Sequence, residues 1–235
     1  MELMQRKLRY SRDSYFKLYH LCYYLSNSAF KNEDVQRIIS FKERDVYTVR
    51  HFASLAIQYL LDQRMEQDLI IVRALHSNEL KALANRNDPL DRIGKSLAAT
   101  FNCFYKPELL RKTRVTKAVK LLNTQERKAE LKQTYLVSKT KMDLNNRKIL
   151  IIDDVVTTGV TICSIIKAVL DEFPLAKINV FSLAWTPTQN QQSYIQQQGN
   201  KPLVFNEPEL NYGNSSNKDW LDADFESGVT RISVL

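Results

Sequence analysis

The sequence predicts an α/β protein in which a mostly parallel sheet is flanked by helices. Three observations lead there. Ile149, Leu150, Ile151 and Ile152 form a run with no polar position, and residues 178–184 (INVFSLA) are a second largely apolar run. Such runs suit strands covered on both faces. Between them, residues 161–173 set Ile162, Ile165, Ile166, Val169 and Leu170 on one side of a helix, and Pro174 follows its end. Strands separated by helices imply parallel pairing with right-handed crossovers.

The remaining elements follow in chain order. Residues 1–26 are aromatic-rich and read as mostly helical, so residues 1–30 form a helical N-terminal segment. Residues 33–41 place Val35, Ile38, Ile39 and Phe41 at helical spacing. Residues 47–61 do so more clearly, with Val49, Phe52, Ala53, Leu55, Ala56, Tyr59 and Leu60. Residues 68–75 (DLIIVRAL) are strand-like, residues 92–101 helical, and residues 103–110 include a short strand. Residues 117–132 read as loop then helix, and residues 134–137 as a strand. The core domain spans 31–187. Beyond Pro187 the chain turns rich in Gln, Asn, Ser and acids, which marks 188–235 as a loop-rich C-terminal extension.

Composition narrows the class. At 235 residues the chain can bury a substantial core. No apolar run approaches the ~18–20 residues that cross a bilayer, and the start lacks the apolar stretch of a signal peptide. Cys22, Cys103 and Cys163 show no metal-site spacing, so buried, reduced thiols in a cytoplasmic protein are expected. His20 and His51 fall in helical patterns and read as structural. Net charge is +8, yet residues 191–235 carry three basic against six acidic residues. The densest basic stretch is 106–132, with nine Lys or Arg and three Glu. It suits a solvated face, a pyrophosphate group or nucleic acid. Common RNA-binding and zinc-finger patterns do not occur, which favours the pyrophosphate over nucleic acid.

The most informative stretch is 149–161, ILIIDDVVTTGVT. Asp153 and Asp154 emerge at the end of an apolar strand. Two adjacent carboxylates repel and are costly to bury, and hydroxyl donors or a divalent cation would relieve that cost. Thr157, Thr158 and Thr161 offer hydroxyls and the loop offers backbone N–H groups. Gly159 permits φ > 0 and close approach of a ligand. The next helix start adds positive partial charge. A phosphate monoester suits the lower half and vicinal hydroxyls suit the upper half; a sugar phosphate has both.

This window resembles the phosphoribosyl pyrophosphate (PRPP) signature of type I phosphoribosyltransferases: an apolar strand, two acids, two apolar residues, Thr-Thr/Ser-Gly and a further Thr. The resemblance implies that fold. It also implies that Asp153 and Asp154 bind the ribose hydroxyls while Thr157, Thr158, Gly159, Val160 and Thr161 wrap the 5-phosphate, next to Val155 and Val156. Residues 38–45 (IISFKERD) are similar to the FK-x-R-D/G-D segment of the ComF-like, competence-associated branch. Residues 69–97 line up with that branch's pyrophosphate loop and following helix, and residues 112–136 with a further stretch that includes Thr124, Gln125, Glu126 and Arg127. The branch's N-terminal zinc module has no counterpart, because Cys22 stands alone. Its V-P-V-P-L loop is here Val72-Arg73-Ala74-Leu75-His76, without prolines.

The family implies displacement at C1 of PRPP by a nitrogen acceptor, with pyrophosphate leaving on Mg2+. Arg73, Lys117 and Lys120 are candidate cations for the leaving group, with His76 and the Ala74–Leu75 backbone beside them. The alternative is a non-catalytic relative that binds a phosphoribosyl ligand or DNA, in DNA uptake or regulation. The extension would be an acceptor-choosing hood or a surface decoration. The aromatic N-terminal segment is a candidate homodimer contact.

Overall fold

A computed structural model describes residues 4–11, 14–25, 33–62, 69–82, 88–116, 122–187, 192 and 229–231. Lys117, Lys120 and nearly all of the 188–235 extension lie outside these residues.

Strand β7 (Lys148–Val156) is an interior strand of the sheet and shows why both faces are covered. Successive side chains on a strand point to opposite faces. Ile149 and Ile151 join a core cluster with α5 (Val160–Glu172), whose Ile162, Ile165, Ile166 and Val169 are buried there. Leu150 and Ile152 join a second cluster on the other face. There they meet α1 (Glu33–Lys42), α2 (Val46–Asp62) and α3 (Pro89–Phe101).

Around β7 stand β3 (Ile70–Arg73), β4 (Phe104–Tyr105) and β8 (Lys177–Trp185), all parallel. The full order is β4-β3-β7-β8-β2-β1-β9. Strand β2 (Ser14–Tyr23) is parallel to β8, while β1 (Met4–Ser11) and β9 (Val229–Arg231) add antiparallel pairs at that edge. A ribbon of β5 (Leu110–Lys112) and β6 (Tyr135–Val137) stands apart, with α4 (Thr124–Leu131) leading into β6. The mostly parallel sheet flanked by helices is therefore the architecture the apolar runs imply.

The N-terminal reading is corrected. Residues 4–11 and 14–23 are strands, not helix, and His20 lies on β2. Leu18, Tyr19, His20, Leu21 and Cys22 are all buried in succession, because α1 and α2 cover one face and the core cluster that includes α5 covers the other. Aromatic residues fit such a pleated, covered surface well. Cys22 and Cys163 are buried free thiols as expected, whereas Cys103 is only partly so. No helix among the described residues is long and apolar enough to cross a membrane.

Candidate functional site

The site grows from the end of β7. Asp153 lies toward Lys112 and Tyr135, and Asp154 toward Lys42. The two carboxylates thus sit at the carboxyl end of the sheet but lean toward different neighbours. The backbone ties them down: Asp154 N–H donates to Asp153 Oδ1 at 2.9 Å, and Val155 N–H to Asp154 Oδ1 at 2.6 Å. Asp153 is held well above the usual carboxylate range, first by burial and then by the neighbouring charge of Asp154.

The strand runs further than the apolar run suggests, through Val156, so the loop proper is Thr157-Thr158-Gly159. Gly159 has φ 72° and ψ −1° and opens α5 without a side-chain cap. That leaves the first N–H groups of the helix for water or a ligand. Asp153 and residues 155–162 line a small pocket of about 30 Å³, with Thr157 exposed and Val156 buried. A larger cavity of about 340 Å³ lies between β6 and the far half of α5 and includes none of these residues.

Two cations reach this site that the sequence reading did not assign to it. Lys42, on the last turn of α1, brings its Nζ to 3.2 Å from Asp154 Oδ2. Arg127 donates from Nη1 to Thr157 Oγ1 at 2.9 Å and from Nε to the Leu122 carbonyl at 2.8 Å. Its helix starts in a capping box, where Asn123 and Glu126 each accept the other's backbone N–H. Lys42 falls in a segment singled out for resemblance and Arg127 in one singled out for resemblance and basic charge, but tertiary contact alone gives the two residues their place.

The loop after β3 is built differently. Arg73 is 0 % exposed. Its Nε donates to Asp91 Oδ1 at 2.6 Å, and its Nη1 and Nη2 donate to Glu79 at 2.8 and 2.9 Å. Burial opposes its charge, but the Glu79 and Asp91 carboxylates outweigh burial and keep the guanidinium ionised. Arg73 as a pyrophosphate cation is thereby corrected: it is a buried structural ion. Tyr105 Oη also donates to Asp91 Oδ1, and its ring lies where a Cβ on Gly94 would be. Only glycine leaves room for that ring on α3.

The rest of the loop is similarly engaged. Ala74 N–H donates to the Ile152 carbonyl, His76 N–H to Glu79, and the Leu75 carbonyl accepts from Tyr135 Oη. His76 Nε2 lies 2.6 Å from Asp88 Oδ2, while Asp88 Oδ1 caps α3 by accepting Leu90 N–H. The Asp88 hydrogen bond raises the His76 pKa, against burial. Lys112 reaches in from β5 and donates to the His76 carbonyl at 2.9 Å; burial pushes its ammonium down to about 8. The basic stretch is therefore not one solvated face: Lys112 is buried and Arg114 pairs with Glu130. Among the described residues no group of three or more His, Cys, Asp or Glu could hold a metal.

No family model matches the chain, and no curated protein is similar to it in sequence. Among solved structures, the chain is similar to an adenine phosphoribosyltransferase, at 13 % identity and a TM-score of 0.39. That likeness covers 68 % of this chain and 79 % of the other.

Proposed function

We propose that the protein binds PRPP at residues 153–161 and transfers its phosphoribosyl group to a nitrogen acceptor. One observation carries this reading: a carboxylate pair at the end of β7 directly precedes a loop whose left-handed Gly159 opens the uncapped start of α5. Carboxylates accept hydrogen bonds from the ribose hydroxyls, and loop N–H groups donate to the 5-phosphate. Arg127, bonded to Thr157, stands beside the phosphate cradle. Lys42 and Arg127 both lie in segments that resemble the ComF-like branch, which favours that branch over other phosphoribosyltransferases.

In the reaction the bond from C1 to the pyrophosphate oxygen breaks as a bond from C1 to the acceptor nitrogen forms. The acceptor's proton leaves to solvent or a nearby base. The protein's part is to hold the sugar still and shield it from water. Mg2+ would arrive with the pyrophosphate, whose oxygens suit it.

Calorimetry with PRPP and Mg2+ tests the binding step. Wild type is expected to bind in the micromolar to millimolar range typical of enzyme substrates. Asp154→Asn is expected to weaken binding by about tenfold or more while leaving the melting temperature near that of wild type. Equal binding by the two proteins would remove the assigned site. Pyrophosphate release across a panel of bases then tests turnover and finds the acceptor.

A further inference from the structure

The segment Phe41-Lys42-Glu43-Arg44-Asp45 forms a rigid corner. Phe41 is buried edge-on against Phe52, with ring centroids 5.7 Å apart. Arg44 takes φ 68° and its N–H donates to the Phe41 carbonyl, which ends α1. Asp45 starts the next helix by accepting the Thr48 N–H at 2.7 Å and the Thr48 hydroxyl at 2.6 Å. Four residues of the segment thus have an observed structural part or contact: an anchor, a turn, a cap and Lys42.

Lys42 alone points toward the carboxylates. Its Nζ is 3.2 Å from Asp154 Oδ2 and 5.7 Å from the centre of the Tyr24 ring. The Lys42 side chain is 47 % exposed, and an ion pair so wetted contributes little to folding stability. Its place is better explained by what it does to the carboxylate pair. Asp154 Oδ1 is already engaged by Val155 N–H, so Lys42 fixes the remaining oxygen and with it the carboxylate plane.

We propose that Lys42 is a positioning residue of the ligand site: its ammonium orients Asp154 and supplies the positive charge against which the aspartate pair holds a sugar diol. This rests on the PRPP reading above. A sugar phosphate brings more negative charge beside two carboxylates, and a cation at this corner offsets that repulsion. The pair is faced by Lys42 from α1, His76 from the loop after β3, Lys112 from β5 and Tyr135 from β6. Burial and Asp154 raise Asp153, while Lys42 and His76 pull it back. Removing Lys42 therefore moves Asp153 further upward.

The test uses the full chain as wild type, Lys42→Met, Lys42→Arg and Asp154→Asn. Ribose 5-phosphate is titrated by calorimetry from about pH 6 to about pH 9, a window spanning the groups involved. Carbon NMR follows the Asp153 carboxyl without ligand over the same range. Lys42→Met is expected to bind about tenfold more weakly at neutral pH, with the Asp153 midpoint displaced upward. Lys42→Arg is expected to restore both. If Lys42→Met keeps wild-type affinity and midpoint while Asp154→Asn loses binding, the role of Lys42 is overturned and the site reading stands. Tighter binding by Lys42→Met would mean that Lys42 competes with the ligand, and also overturns it. If ribose 5-phosphate binds to neither wild type nor variants, the site reading itself fails. The NMR titration needs no ligand, and an unmoved midpoint overturns the role of Lys42 even then.

Discussion

The loops after β3 and after β7 end neighbouring parallel strands, yet they are built on opposite plans. The loop after β3 satisfies itself: Arg73, Glu79, Asp91, His76 and Asp88 pair with one another, and Lys112 closes the His76 carbonyl. The end of β7 and its loop are less complete. Two carboxylates stay crowded although Lys42 pairs with one, Asp153 is raised, and the loop starts a helix with no side-chain cap. Internal pairing makes a support. Crowded carboxylates beside open donors make a place for a ligand. The difference teaches that charge content alone does not mark a site; what matters is whether opposite charges match one another in full.

The largest effect should come from breaking the support. Arg73→Met leaves Glu79 and Asp91 buried without their cation, and a stability loss of about 3–5 kcal/mol is expected in urea unfolding. A loss under about 1 kcal/mol would show that the two loops differ less than their contacts say. Next comes the binding loop. Gly159→Val forces a β-branched residue to the positive φ of Gly159, at a cost of about 1–3 kcal/mol. Its binding of ribose 5-phosphate should fall by about tenfold or more, because the loop N–H groups shift. If Gly159→Val instead binds normally, the loop is not the phosphate cradle.

The smallest effect concerns pH. Asp88 raises His76 in the folded protein, so between the carboxylate range and about pH 6.5 the pair's stabilisation is fully present, and it fades as pH rises through the higher folded value of His76. The His76 side chain is 45 % exposed, so solvent screening keeps the effect slight. Melting temperature should show a shallow downward step above neutral pH in wild type and a flatter profile in His76→Gln. Identical profiles would place His76 outside the support.

The sequence made β7 and its loop legible because local signals coincide there: an apolar run, two acids, and a glycine in a chain with only five. Helices α1, α2, α3 and α5 were legible through periodicity. The first strands were not. A strand covered on both faces loses its alternation, and the consecutive burial of Leu18, Tyr19, His20, Leu21 and Cys22 leaves no period to read. Arg73 misled for a related reason. A lone charge ending an apolar strand looks available until Glu79 and Asp91 are seen to close on it. Lys42 and Arg127 are defined by contacts across the fold, which local patterns do not encode.

The pairing of β2 with β8 reaches far along the chain, since Cys22 Sγ donates to the Leu183 carbonyl 161 residues away. During synthesis the first-made hairpin must therefore wait, its β8-side edge open, until nearly the whole core has left the ribosome. An N-terminal truncation that removes β2 would leave β8 as a naked border strand, inviting self-association rather than simply shortening the protein.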